Sequence, residues 1–168
     1  LMTTLKYLSA YPAHIQDQVR TLIEQDRLAE TLRVRYPERH DVRSDSALYD
    51  YVLELKNRHL RTAPPVAKVA YDSGLGLVAK ALGTQTTISR LQGAKLKSKR
   101  EIRVATLFRD CAPEFLKMIV VHELAHLKVR EHDKSFYALC EHMEPRYHQY
   151  EFDLRLHLTC LDLAGKSA

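Results

Sequence analysis

The sequence predicts an α+β fold: N-terminal helices, a small, mostly antiparallel twisted sheet, a central apolar helix and further helices towards the C-terminus. Three observations carry this. Apolar residues recur at helical spacing in the first and last thirds of the chain. The middle third changes to short alternating β-favourable runs and holds Gly74, Gly76, Gly83 and Gly93, all the glycines but Gly165. Between sheet and C-terminal helices, the stretch Ile119 to Leu127 is apolar except at His122, Glu123 and His126.

With 168 residues and 45% hydrophobic content, the chain has the size of one ordinary domain with its own core, and residues 1–168 are read as a single domain. There is no apolar run of about 18 residues to cross a membrane, and the first residues lack the basic-then-apolar layout of a secretory signal. The three cysteines, Cys111, Cys140 and Cys160, are odd in number and form no C-x-x-C pair. A reducing, cytoplasmic location is the expectation, with free thiols and no disulfide framework. The formal charge of +5 favours anionic partners through long-range attraction without naming one.

Ile15, Val19, Leu22 and Ile23 form the first helical stripe, entered after Pro12. The pattern slips at Asp26-Arg27 and resumes with Leu28, Leu32 and Val34 before Pro37, so two helices or one kinked helix are expected. Ser44 or Asp45 caps a third helix whose face is Leu48, Tyr51, Val52 and Leu55, stopped by Ala63-Pro64-Pro65. His14, His40 and His59 lie in this half without metal-ligand spacing. Val66, Val69 and Tyr71 then begin a strand, and Asp72-Ser73-Gly74 reads as a turn into a hairpin with Leu75 to Ala79. Thr86 to Leu91 reads as a third strand, and Glu101 to Phe108 alternates as a fourth. The basic segment between them contains Lys95, Lys97, Lys99 and Arg100. It suits either a solvated tip or a nucleic-acid contact, although no aromatic residues interleave it as a stacking platform.

Pro113 and Glu114 open the central helix, one at its first turn and the other at the positive end of its dipole. His122-Glu123-Leu124-Ala125-His126 is an H-E-x-x-H pattern, a zinc-hydrolase signature. Histidines four apart lie on one face and reach one ion, while Glu123, about 100° round the helix, stands where a general base for an activated water is needed. Buried polar side chains need partners, and a metal ion would satisfy them together.

A catalytic zinc ion commonly takes a third protein ligand. His132 is the nearest candidate, and it reaches the ion only if the helix stops before it. Continued as helix, the six residues after His126 would carry His132 about 9 Å along the axis. The resulting spacing is that of the metzincin pattern, with Val129 standing where that pattern has its turn glycine. Glu144, Glu151, His142 and His148 are the alternatives further on. Asp133 and Ser135 cap a following helix with Phe136, Leu139, Cys140 and Met143 inward. Pro145 ends it, and Tyr147 to Leu163 forms the last helix with Phe152, Leu156 and Leu163 inward. Tyr147 and His148 are candidate hydrogen-bond donors to an oxyanion.

The run from Phe115 to Lys128, with Glu131-His132, Lys134-Ser135-Phe136-Tyr137, Glu101 to Thr106, Ala63-Pro64-Pro65 and Met143-Glu144-Pro145, resembles the YgjP-like metallopeptidases, which are similar to SprT-like and WLM protease cores. The resemblance implies a minimal zincin-like fold with one zinc ion on His122, His126 and His132 and Glu123 as base. It also implies a strand at the cleft rim, including Arg103, Val104 and Ala105, that receives an extended polypeptide substrate. The function expected on this basis is zinc-dependent peptide hydrolysis. The alternative is a zinc-containing nucleic-acid- or protein-binding protein without proteolytic activity, suggested by the basic segment.

Overall fold

A helix of almost wholly apolar composition can be stable only if other elements cover every side of it. In the computed structural model, which describes residues 5–74 and 100–165, that helix is the centre of the molecule. The N-terminal part contributes a 3₁₀ turn at Lys6–Leu8 and helices α1 (Ala13–Glu24), α2 (Leu28–Arg35) and α3 (Asp45–His59). Strands β1 (Lys68–Asp72) and β2 (Glu101–Ala105) follow, then a 3₁₀ turn at Thr106–Asp110 and helices α4 (Pro113–Ala125), α5 (Lys134–Met143) and α6 (Tyr147–Leu163). No helix among the described residues is long and apolar enough to cross a membrane.

The sequence signals act locally as physical chemistry requires. The break between α1 and α2 falls at Asp26, whose positive φ of 55° ends the right-handed helix. Ser44 Oγ accepts from Ala47 N at 3.0 Å to cap α3, and Pro113 occupies the first turn of α4. Leu116, Met118, Val120, Val121, Leu124 and Ala125 are fully buried, each larger side chain contributing about 1.5–3 kcal/mol by leaving water. α3, α5, α6 and β2 all pack on α4. A second cluster of Leu5, Leu8, Val19, Leu28, Leu32 and Leu156 joins the N-terminal helices to α6.

A buried carboxylate reinforces that junction. Asp153 on α6, wholly shielded, receives Arg35 Nη1 at both oxygens (3.1 and 3.0 Å), the Tyr36 hydroxyl and Gln149 Nε2 at 3.1 Å. Four donor contacts from three residues satisfy a charge that would be costly to bury alone.

Three expectations are corrected. The described strands pair in parallel, Lys68 opposite Glu101 through Asp72 opposite Ala105, and not as part of a mostly antiparallel sheet. Parallel neighbours cannot be joined by a two-residue hairpin turn. The expected hairpin strand Leu75 to Ala79 and third strand Thr86 to Leu91 fall outside the described residues. β2 ends at Ala105 instead of continuing to Phe108. The chain turns there so that the Phe108 carbonyl accepts from His40 Nε2 at 2.7 Å, while Val42 N donates to His40 Nδ1 at 2.9 Å. Finally, Val34 and Leu163, expected to face inward, are exposed.

Candidate metal centre

α4 ends at Ala125, with His126 as its C-cap. Leu127 N and Lys128 N donate to the carbonyls of Leu124 and Ala125 at 3.0 Å each, and Val129 N also reaches Ala125 O at 2.9 Å. Val129 is not among the residues with positive φ. The turn is thus made by a tightened last helical turn and needs no glycine. Asp133 Oδ1 then accepts from Phe136 N at 2.9 Å and from Ser135 Oγ at 2.7 Å, starting α5 directly after His132.

These two helix ends bring three imidazoles together. The Nε2 atoms of His122 and His126 are 3.2 Å apart, those of His126 and His132 3.0 Å, and those of His132 and His122 3.2 Å. Among the described residues they form the one group of three side chains able to hold an ion. Phe136 packs against all three rings, with centroids 4.5–4.9 Å away.

The donor set fits a divalent metal. His126 Nδ1 lies 3.0 Å from the Val129 carbonyl, which can only accept, so that nitrogen carries the proton and Nε2 presents a lone pair to the centre. Burial holds His122 well below the usual imidazole pKa, with His126 and His132 adding to the effect, and burial likewise lowers His132. Neutral rings pointing lone pairs at one another about 3 Å apart repel unless a cation lies between them. For nitrogen ligands about 2.0–2.1 Å from a tetrahedral ion, neighbouring nitrogens stand about 3.3 Å apart, close to the separations here.

The other expected residues are placed as follows. Glu123 is half-buried on α4 between the two helical histidines. Glu144 is engaged with Lys117 Nζ at 2.9 Å and Arg146 N at 2.7 Å, and Glu151 with Arg155 at 3.5 Å. The His142 ring meets His59, and His148 pairs with Glu141 at 2.7 Å. None of these four joins the trio. The Tyr147 hydroxyl is buried 2.8 Å from His122 Nδ1, on the side of the ring away from the common centre. On β2, Val104 and Ala105 are buried. Arg103 is exposed and binds Asp72 Oδ2 at 2.6 Å and Glu101 Oε2 at 3.1 Å. Lys95, Lys97 and Lys99 lie outside the described residues, and Arg100 is exposed. Two participants escaped sequence reasoning, the Val129 carbonyl and the Tyr147 contact to His122. Neither leaves a pattern in the residue types.

Comparison with known proteins adds identity to this geometry. The chain is 57% identical over 162 residues to the UTP pyrophosphatase of Escherichia coli (strain K12), covering 96% of this chain and 97% of that protein. No solved structure matches. The YgjP-like metallopeptidase-domain model matches residues 21–157. With that match spanning most of the chain around the histidine trio, the chain belongs to the YgjP-like family and is a hydrolase.

Proposed function

We propose that the chain is a metal-dependent UTP pyrophosphatase, with zinc on His122, His126 and His132 and Glu123 as general base. The observation that carries the hydrolytic part is the convergence of three Nε2 atoms, with Glu123 directly following His122 on the same helix. The choice of substrate is supported by the 57% identity to a UTP pyrophosphatase over nearly the whole chain.

When bound there, the ion would supply Lewis acidity, drawing electron density from the electrophile and making water a nucleophile near neutral pH. Three neutral imidazoles would leave the charge of a bound ion undiminished, which would favour a polyanionic triphosphate more than a ligand set with a carboxylate. Glu123 takes a proton from the attacking water as its oxygen bonds to the α-phosphorus. The bond from that phosphorus to the bridging oxygen breaks, and the electron pair leaves with pyrophosphate. UTP and water thus give UMP and pyrophosphate. The positive balance of the chain assists encounter with such a substrate.

A second reading is peptide hydrolysis by the same groups, favoured by the metallopeptidase description of the family. One experiment separates the two. Zinc-reconstituted protein is incubated with UTP in water enriched in heavy oxygen, and in parallel with unfolded casein. The proposal expects UMP carrying the label, unlabelled pyrophosphate, loss of turnover with a chelator, and intact casein. Casein cleavage with UTP untouched would overturn it in favour of the peptidase. Label in inorganic phosphate with UDP formed would overturn the assignment of the attacked phosphorus.

A further inference from the structure

His122 differs from His126 in what lies behind it. His126 turns its second nitrogen to a backbone carbonyl in the adjoining turn. His122 turns its own to a side chain 25 residues further along the sequence, the Tyr147 hydroxyl at 2.8 Å, with the two rings nearly parallel at 18°. Tyr147 is wholly buried at the first residue of α6, so its hydroxyl has no water to fall back on and must be matched by protein groups.

The direction of the hydrogen bond follows from the geometry. His122 Nε2 points at the other two Nε2 atoms and must offer a lone pair to hold an ion, so the proton of the neutral ring sits on Nδ1. That N–H donates and the phenol oxygen accepts. The bond runs from His122 on α4 to Tyr147 on α6, tying together two helices that pack on each other beside the centre. A carboxylate is close at hand on the same helix, since Glu151 follows Tyr147 by one turn. It is paired with Arg155, so the group behind His122 is an uncharged phenol.

We propose that Tyr147 is a positioning residue for the metal centre: its oxygen holds His122 in the tautomer that presents Nε2 to the ion. This rests on the reading of the trio as a metal site, and it concerns metal binding whichever substrate is hydrolysed. Ligand-orienting partners of this kind are worth about 10- to 100-fold in metal affinity.

The test uses full-length protein stripped of metal and titrated with Zn²⁺ against a chromophoric chelator. Tyr147→Phe, which keeps the ring and removes only the oxygen, is expected to weaken zinc binding about 10- to 100-fold and to alter the visible spectrum of the Co²⁺-substituted protein. Equal affinity and an unchanged cobalt spectrum would overturn the role of Tyr147 while leaving the metal site intact. Wild-type protein that binds no Zn²⁺ would overturn both. Should Tyr147→Phe fail to fold, nitrogen NMR of histidine-labelled, zinc-loaded wild type decides. A His122 Nδ1–H protected from exchange is expected, and a rapidly exchanging one contradicts the proposal.

Discussion

His126 Nδ1 donates to the carbonyl of Val129 at 3.0 Å, so the last histidine of α4 is fastened to the turn that follows it. The N–H of Val129 reaches back to Ala125 O at 2.9 Å. Val129 therefore serves twice. It closes the end of the helix, and it sets both the tautomer of one ligand and the starting point of the short path to His132.

Val129→Pro tests this coupling. Proline removes the N–H that reaches Ala125 and biases Lys128 away from helical backbone. The expected result is a lowered Tm and at least a tenfold (roughly 1.4 kcal/mol) loss of zinc affinity, measured by chelator competition. Wild-type affinity would mean that the turn does not position His132.

His157 offers a pH-dependent test away from the trio. Burial, with the charge of Arg39 second, holds its pKa below the usual value, so the folded chain takes up this proton at lower pH than the unfolded chain, which binds it near 6.5. Between the depressed folded value and about 6.5 the unfolded state holds more protons, and stability falls as pH drops through that window. His157→Gln removes this contribution. The Tm of metal-stripped protein should therefore fall less steeply from about pH 7 to about pH 5 than that of wild type. His122 and His132 are common to both proteins, so parallel Tm profiles would contradict the assignment.

What could be read from the residues was what local chemistry determines. Ser44 and Asp133 are capping side chains followed by apolar periodicity, and both cap helices. His122 and His126 lie on one helical face, and the requirement that the helix stop before His132 is met at Ala125. Pairing between distant strands was not legible. Just past β1, Gly74 N donates to Asp72 Oδ1 at 2.8 Å. Such a local bond does not choose a strand partner, and β1 pairs in parallel with β2. The bond of Tyr147 to His122 was hidden for a related reason. The value of Tyr147 comes from being packed 2.8 Å from His122, a contact made by the docking of α6 on α4 that no spacing along the chain encodes. Leu163 was misplaced because the stripe of α6 runs past the end of the core, leaving the last turn exposed.

The most direct measurement is the metal content and UTP turnover of Glu123→Gln beside wild type. The substitution keeps the size of the side chain and removes its ability to take a proton, while His122, His126 and His132 are untouched. The expected result is one zinc ion per chain in both proteins, with UTP hydrolysis reduced about 10²- to 10⁴-fold in the variant. A Glu123→Gln protein that holds its ion and hydrolyses UTP at the wild-type rate would contradict the assignment of Glu123 as base.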